Sequence, residues 1–221
     1  MLTVAVDGSA LGNPGPAGWA WYIDADNWAA GGWPKATNNR GELQAVIEVL
    51  EATADTGEDL HLMADSQYVI NSVTKWMAGW KRKGWKKRDG QEVVNKDQMV
   101  RIDELMSAAK SAGRTVDFEW VKGHAGHPLN EAADDAARGA AEAYRNKRAP
   151  DAGPGLAGAQ AGRPRPAEAQ PDPVDDSVIV SCRLPRERAD EVIRRARAAG
   201  VNPQEELAEL IELGMERRYS L

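Results

Sequence analysis

The sequence predicts an α/β fold in which helices pack against a mixed five-stranded sheet. Two observations carry this prediction: short extended segments with alternating apolar residues, and longer segments in which apolar residues recur every three or four positions. They follow one another as three strands, a helix, a strand, two helices, a strand and a helix. This order is typical of a sheet covered by helices, and 221 residues suffice for one domain of ordinary size plus a smaller one.

The opening segment combines a strand pattern with a carboxylate. Val4 and Val6 share one face of an extended stretch that is expected to end at Asp7, where a turn begins. Residues 12–16 have turn composition and residues 18–23 predict the second strand, so the chain is expected to begin with a hairpin. On this evidence alone, Asp7 is either a turn former or a functional acid at the end of a strand.

The middle of the chain alternates strands and helices. A third strand over residues 27–33 is expected to stop at Pro34, and the helix after it is predicted over residues 39–54. The apolar stripe of that helix consists of Leu43, Val46, Ile47 and Leu50. A strand over residues 59–64 is followed directly by Asp65, which repeats the strand-then-acid pattern of the opening. The remaining predicted elements are helices over residues 66–77, 94 or 95 to 112 and 128–146, a strand over 115–121 and a loop over 123–127.

The last third of the chain has a different composition. Residues 147–176 are rich in Pro, Gly and Ala with almost no large apolar side chain, and we predict a disordered linker there. Residues 177–221 predict one strand (177–184) and two helices (185–199 and 203–218). A module this small cannot satisfy the edges of a single strand, so we expect it to need a partner copy.

Composition sets limits on the class of protein. The net charge of −6 does not by itself favour nucleic-acid binding, but residues 79–90, GWKRKGWKKRDG, concentrate positive and aromatic side chains. The single cysteine, Cys182, excludes an intramolecular disulfide and a cysteine-based zinc site, which fits a reducing cytosol. Apolar runs are too short to span a membrane and no signal peptide is recognisable, so we expect a cytoplasmic protein without a membrane partner.

Four acids lie next to the ends or starts of predicted elements: Asp7, Glu42, Asp65 and Asp134. Each has a structural alternative, since Asp65 can cap the following helix, Glu42 is spaced from Asn39 as in a capping box, and Asp134 can be a solvated helix residue. If the fold brings the four together, they repel one another unless a cation is bound, and carboxylate oxygens suit Mg²⁺. A pair of such ions can activate a water and stabilise the leaving oxygen of a phosphodiester.

His124 lies between glycines in the loop sequence KGHAGH. Because histidine side chains exchange protons near neutral pH, His124 can move protons beside a metal cluster. The alternative is an ordinary surface histidine in a flexible loop.

Four stretches resemble the successive signatures of the type 1 ribonuclease H family, in the family's order and over residues 1–146. They are VDGSALGNPGPAGWA, TNNRGELQAV, ADSQYVINSVTKWMAGWKRKGWK and WVKGHAGHPLNEAADDAA. The resemblance implies a ribonuclease H-like fold and an endonuclease that hydrolyses the RNA strand of RNA–DNA hybrids with Mg²⁺ or Mn²⁺, leaving 5′-phosphate and 3′-hydroxyl ends. It also implies that the four acids are the metal ligands and that His124 assists proton transfer or product release.

The resemblance extends to substrate contacts. It implies that minor-groove base edges and ribose 2′-hydroxyls are reached by Asn13, Asn38, Asn39 and Gln67. Thr37 matches a position that holds a phosphate of the DNA strand, and Asn38 can equally be a turn or cap former. Residues 76–87 resemble a basic protrusion that grips the DNA strand, although Gly79 stands where the family often has a polar amide. The members expected to bind substrate there are Trp80, Lys81, Arg82, Lys83, Trp85, Lys86 and Lys87.

Residues 177–221 resemble a ribbon-helix-helix module. In that family two strands pair across a dimer, which implies a homodimer through these residues. The outward positions of the strand, Ile179 among them, would then face the DNA major groove. Because Ile179 is a poor reader of bases, three possibilities stay open: dimerisation alone, dimerisation with duplex DNA binding, and a helical hairpin without a dimer.

The sequence thus predicts a hybrid-specific endoribonuclease joined to a dimerising tail. Two alternatives remain at this point: a hybrid-binding or DNA-binding regulator without turnover, and a nuclease with the same metal site but another substrate.

Overall fold

The computed structural model describes residues 1–87, 90–157 and 186–199. The chain divides into two units, Met1–Asp172 and Pro173–Leu221, and each is described by itself. The strands of the first unit are β1 (Leu2–Ala10), β2 (Gly15–Asp24), β3 (Asn27–Ala36), β4 (Leu60–Ala64) and β5 (Val116–Trp120). Its α-helices are α1 (Asn38–Ala52), α2 (Gln67–Asn71), α3 (Met77–Arg82), α4 (Lys96–Ser111) and α5 (Pro128–Arg145).

The five strands form one mixed sheet in the order β3-β2-β1-β4-β5. β1 lies at the centre, antiparallel to β2 and parallel to β4, and β5 extends the parallel half. The prediction of a mixed sheet with flanking helices is therefore confirmed. The central strand joins the hairpin half of the sheet to the half whose strands are connected by helices.

Helices cover the sheet on both faces. α1 buries its predicted stripe, with Leu43, Val46 and Leu50 almost completely excluded from water, in the same core as Trp19 and Trp21 of β2. α5 packs small residues, including Ala137 and Ala140, against Ala20 and Ala30 of β2 and β3. Because successive strand residues point to opposite faces, Trp19 and Ala20 place α1 and α5 on opposite sides of the sheet.

Two strands are longer than the sequence predicts. β1 continues past Asp7 to Ala10, because β2 still pairs with it there, with Asp7 opposite Ala20. The expectation that the strand ends at Asp7 is wrong. β3 continues through Pro34 to Ala36, because it lies at the edge of the sheet, where proline's missing N–H costs no ladder hydrogen bond.

The helix predicted over residues 66–77 is interrupted and extended. α2 is followed by a π-helical segment, Ser72–Trp76, and then by α3, which ends at Arg82. The buried apolar side chains of this stretch are Val69, Val73 and Met77, which are four residues apart. A straight α-helix repeats every 3.6 residues, so the wider turn keeps these three side chains on the core side.

Residues 150–157, termed the edge segment, lie along the free edge of β3. Its hydrogen bonds to β3 run from Ala30 N to Ala152 O (3.2 Å), from Gly155 N to Trp28 O (3.0 Å) and from Ala157 N to Asn27 Oδ1 (2.8 Å). Leu156 packs against the core. The predicted disordered linker over residues 147–176 is therefore wrong for the edge segment, since an edge strand offers unpaired backbone groups that its composition does not reveal. Residues 158–176 lie outside the described part of the chain.

In the second unit the structure describes one helix, α6 (Arg186–Ala199), which corresponds to the first helix predicted there. The strand predicted over residues 177–184 and the helix predicted over residues 203–218 lie outside the described residues. No helix in the described ranges is both long and apolar enough to cross a membrane.

The edge segment is expected to stabilise the catalytic unit. A chain ending at Asn146 should melt roughly 5 °C below a chain ending at Ala157, because it loses the three hydrogen bonds to β3, the bonds that Lys147 and Arg148 donate to the end of α5, and the packing of Leu156. Differential scanning calorimetry of the two chains measures this, and equal melting temperatures would contradict it.

Two glycines of the edge segment provide a matched control within the full chain. Gly153 and Gly155 both have positive φ angles (71° and 80°), but only at Gly153 would an added Cβ meet Trp28, 2.5 Å from its carbonyl oxygen. Gly153→Ala should therefore lower the melting temperature more than Gly155→Ala.

Candidate active site

Three of the four predicted acids form one cluster. Asp7 lies on β1, Asp65 directly follows β4, and Glu42 is in the second turn of α1. One carboxylate oxygen from each lies within 4.8 Å of the other two. Asp7 and Glu42 are buried, with 4 % of each residue exposed. The fold thus brings together residues that are far apart in sequence.

A close contact between backbones places Glu42 beside β1. A Cβ added to Gly8 would lie 2.2 Å from the Glu42 nitrogen and 2.5 Å from the carbonyl carbon of Gly41. Any side chain at position 8 would therefore push the start of α1 away from the strand. Because Asp7 immediately precedes Gly8, this contact also sets the separation of the Asp7 and Glu42 carboxylates.

Glu42 is only half satisfied by hydrogen bonding. Its Oε1 accepts from Asn38 Nδ2 at 3.1 Å, whereas its Oε2 is buried and has no hydrogen-bond partner among the described residues. Thr37 is the N-cap of α1, and its Oγ1 accepts from Arg40 N at 3.3 Å. The capping-box alternative for Glu42 is therefore not what the structure contains. A buried carboxylate oxygen without a donor is the environment that a cation would complete.

The electrostatics of the cluster favour positive charge. Burial, the neighbouring Asp65 and the more distant Asp134 raise the pKa of Asp7 to about 8, although the Gly8 N–H at 2.7 Å opposes this. Burial and then the charges of Asp7 and Asp65 raise the pKa of Glu42 well above its usual range. Both shifts mean that the protein destabilises the ionised carboxylates when no cation is bound. Oxygen-only ligands held in this way suit a hard divalent cation such as Mg²⁺.

Asp65 is held between the sheet and the next helix. Ser66, rather than Asp65, caps α2, because its Oγ accepts from Val69 N at 3.4 Å. The capping alternative for Asp65 is therefore wrong, and its carboxylate stays available. A Cβ on Gly123 would lie 2.3 Å from Asp65 Oδ2, so the loop after β5 passes directly against this carboxylate.

Asp134 lies beside the group of three rather than within it. It is in the second turn of α5, and its Oδ2 is 3.7 Å from His124 Nδ1. The His124 side chain is 79 % exposed and its φ angle is +51°. The structure thus pairs the predicted histidine with the fourth predicted acid, at the solvent-facing side of the cluster.

The predicted minor-groove residues surround the start of α1 and α2. Asn13 Oδ1 accepts from Asn38 N at 3.1 Å, which joins the turn between β1 and β2 to α1. Asn39 is exposed in the first turn of α1, and Gln67 is exposed at the first position of α2. Asn38 contacts Glu42 directly, so the side chain predicted to bind substrate also supports the carboxylate cluster.

The predicted basic protrusion has a partly buried aromatic base. Trp80 and Trp85 pack against the core, and the Trp80 ring lies 5.7 Å from that of Trp76. These rings support the segment instead of projecting freely. Of the predicted cations, Lys81 pairs with Asp103 at 2.6 Å. The others are Arg82, Lys83 and Lys86, which are exposed, and Lys87, which is partly exposed.

A cavity near the protrusion does not contain the carboxylates. Its volume is about 790 Å³, and residues of α3, α4 and the start of β5 line it. The acidic cluster is therefore separate from this cavity.

Three residues with a part in the site were not singled out from the sequence: Gly8, Gly123 and Trp120. Gly8 follows a candidate acid and Gly123 precedes a candidate histidine. Nothing in the neighbouring sequence indicates that either glycine lies against a residue of the cluster from another part of the chain. Trp120 donates its indole N–H to the Asp65 carbonyl oxygen at 3.0 Å, which only the pairing of β4 with β5 could reveal.

The mixed sheet and its carboxylates define an α/β protein with an acidic cluster whose oxygens could hold a metal ion. The family model described as RNase H matches residues 1–142. The chain belongs to the ribonuclease H family, whose members are metal-dependent, and it is an endoribonuclease that acts on RNA–DNA hybrids.

Comparisons with individual proteins agree with this family. The ribonuclease H of Tropheryma whipplei (strain Twist) is 49% identical over 154 residues, covering 70% of this chain and 92% of the relative. The ribonuclease HI of Streptomyces coelicolor is 48% identical over 144 residues, covering 62% of this chain and 60% of the relative. A foamy viral protease-reverse transcriptase solved in complex with dsDNA has the same fold, with a TM-score of 0.53 at 15% identity, covering 63% of this chain and 92% of that chain.

The raised pKa of Asp7 predicts how the metal-free protein depends on pH. The folded chain keeps a proton on Asp7 up to about pH 8, whereas the unfolded chain releases it near the ordinary aspartate pKa of 3.8. The folded state therefore binds more protons than the unfolded state. The contribution of Asp7 to the free energy of unfolding falls as the pH rises from 4 to about 8. Asp7→Asn removes it, so in EDTA the variant should match the wild type near pH 4 and melt at a higher temperature at pH 8.

Thermal melts from pH 4 to pH 9 measure this difference, which should be roughly 2–4 °C for each kcal/mol of relieved destabilisation. Adding Mg²⁺ should stabilise the wild type and not the variant. A difference that is constant with pH would contradict the assignment.

Proposed function

We propose that this chain hydrolyses the RNA strand of RNA–DNA hybrids at the carboxylates Asp7, Glu42, Asp65 and Asp134, with two Mg²⁺ ions that Mn²⁺ can replace. The observation that carries the proposal is the cluster of Asp7, Glu42 and Asp65, buried together with an unpartnered Glu42 oxygen. Such a cluster is costly to the folded protein alone, and its oxygen ligands match divalent cations. The proposed location is cytoplasmic.

The four carboxylates have different surroundings and hence different parts in binding. Asp7 and Glu42 are buried on rigid elements, and Asn38 orients Glu42 from one side. Asp65 and Asp134 are more accessible and complete the ligand set from β4 and α5. Metal ions bound by these residues would supply the positive charge that activates a water and stabilises the leaving oxygen of the phosphodiester.

His124 is placed to move the protons of the reaction. Water attacks phosphorus and the bond to the ribose 3′ oxygen breaks, which leaves a 5′-phosphate and a 3′-hydroxyl. The attacking water loses a proton and the 3′ oxygen gains one. His124 is exposed on a loop with Asp134 Oδ2 at 3.7 Å from its Nδ1, so it can exchange protons with solvent while Asp134 orients the ring.

Hybrid binding follows from the residues around the cluster. Asn13, Asn39 and Gln67 present amides that can bind base edges and the 2′-hydroxyls that distinguish RNA from DNA. The Thr37 hydroxyl, which caps α1, and Asn38 complete this surface. The cations of the basic protrusion bind phosphates of the DNA strand without reading sequence.

We assign the tail, residues 177–221, to homodimerisation, with duplex DNA binding as a second activity of the same module. The support is the sequence resemblance to ribbon-helix-helix proteins together with the α6 helix at residues 186–199. A dimeric tail would give a hybrid-cleaving enzyme two catalytic units per molecule and raise its effective affinity for long hybrids.

The catalytic assignment is tested with Mg²⁺ and a panel of RNA–DNA hybrid, double-stranded RNA and double-stranded DNA. Only the hybrid should be cleaved, with 5′-phosphate ends. Asp7→Asn and Asp65→Asn should each lower the rate by about a thousandfold or more, since each removes a metal ligand. Asp55→Asn is the matched control, because Asp55 is an exposed aspartate outside the cluster, and its rate should equal that of the wild type.

Circular dichroism shows whether each variant remains folded. Unchanged cleavage by Asp7→Asn would refute the site assignment. Tight binding of the hybrid by the wild type without any turnover would refute the catalytic proposal and favour a regulator.

The tail assignment makes a separate prediction. The full chain should be a dimer in multi-angle light scattering, and a chain ending at Ala157 should be a monomer, because dimerisation is assigned to residues 177–221. Ending the chain at Ala157 keeps the edge segment in place. A monomeric full-length chain at micromolar concentration would contradict the assignment.

A further inference from the structure

Trp120 is an exposed aromatic side chain at the edge of the carboxylate cluster. It is the last residue of β5, and 49% of it is accessible to solvent. Among the described residues, the other large apolar side chains with comparable or greater exposure are Met1 and Val94. Its indole Nε1 donates a hydrogen bond to the Asp65 carbonyl oxygen at 3.0 Å.

This hydrogen bond continues the contact between β4 and β5 past the last pair of the ladder. Ala64 is opposite Trp120 in the parallel pairing, and Val121 N donates to Ala64 O at 3.0 Å. The next carbonyl along the chain is that of Asp65, and the Trp120 indole donates to it. A side chain thus takes over the role of a ladder donor at the residue whose carboxylate belongs to the cluster.

On the side of β5, the backbone of Asp65 itself is held by this bond. Ser66 caps α2 with a long hydrogen bond of 3.4 Å from Val69 N, and the π-helical segment begins six residues later, at Ser72. Gly123 borders the Asp65 carboxylate without offering a side chain. The helical stretch that follows is anchored in the core through Val69 and therefore holds Asp65 from one side, while the indole holds it from the side of the sheet.

We propose that Trp120 is a positioning residue for Asp65: its indole N–H fixes the Asp65 backbone and thereby the carboxylate for metal binding. This inference rests on the proposed metal site. A structural explanation predicts only a change in melting temperature. A direct contact of the exposed ring with the hybrid predicts a higher KM for substrate at unchanged metal affinity. The positioning role predicts weaker metal binding instead.

Two variants of the full chain remove the hydrogen bond. Trp120→Phe keeps an aromatic ring and loses the donor. Replacement of Trp120 by benzothienylalanine keeps the two-ring shape and exchanges only the N–H for sulfur, so it remains informative if the phenylalanine variant folds poorly. Trp28→Phe is the matched control, because Trp28 lies at the edge segment on β3, away from the carboxylates.

Three measurements separate the explanations. Calorimetric titration of the free protein with Mg²⁺ gives metal affinity without substrate, and hybrid cleavage over a range of Mg²⁺ concentrations gives kcat and KM. Both Trp120 variants should need roughly three- to tenfold more Mg²⁺ for half-saturation, the loss expected for one hydrogen bond. At saturating Mg²⁺ the kcat should recover towards the wild-type value, with KM for the hybrid unchanged.

Metal affinity equal to that of the wild type in both Trp120 variants would overturn the inference. So would a raised KM alone, or an equal loss of Mg²⁺ affinity in Trp28→Phe. Failure of the proposed function looks different, because the wild-type chain itself would then neither bind Mg²⁺ nor cleave the hybrid.

Discussion

The close contact between Gly8 of β1 and the Gly41–Glu42 backbone of α1 is the constraint on which the site depends. It removes Glu42 and Asp7 from water next to each other, although neither carboxylate has a basic side chain hydrogen-bonded to it in the described structure. Burial and the neighbouring acids raise the pKa of both groups, so the arrangement disfavours their ionised forms. Residues placed only for stability would not be arranged in this way, since uncompensated buried charge destabilises a fold. The cluster therefore carries a local instability of the kind that a bound cation would relieve.

The buried carboxylates and the exposed histidine lie on two different sides of the site. Asp7 and Glu42 lie in the middle of β1 and in α1, both anchored in the core, and Asp65 is fixed where β4 ends. His124 is exposed on a loop that follows β5 and contacts Asp134 across 3.7 Å. Carboxylates held in regular elements would bind a metal with little reorganisation, and the exposed His124 side chain has the solvent access that the proposed proton transfer requires. The same strand, β5, ends in Trp120 and leads into the His124 loop, so it borders both parts.

The sequence predicted most of the fold because the apolar patterns are strong. The stripe from Leu43 to Leu50 and the alternation in the strands specify buried faces directly, and the acids could be named because they follow those elements. What the sequence could not supply were distances across the fold. Asp7 looked like the end of a strand because the turn-forming Gly8 and Ser9 follow it, yet pairing with β2 keeps them in the sheet. The edge segment was missed because its contacts depend on the free edge of β3. The hydrogen bond from the Trp120 indole to Asp65 was missed because it requires the pairing register of β4 and β5.

The π-helical segment Ser72–Trp76 makes the number of residues in this part of the chain important, independently of which side chains they carry. One residue corresponds to about 100° of rotation in an α-helix, so the extra residue in this turn sets the direction in which everything beyond it faces. The direction in which Trp80 and the following lysines point therefore depends on this turn. The exposed side chains of this segment can be exchanged while Ser72 and Val73 stay buried, but losing one residue would turn the positive charge of the protrusion to another side of the molecule. The phosphate binding proposed for the protrusion thus depends on a count of residues as well as on a pattern of charge.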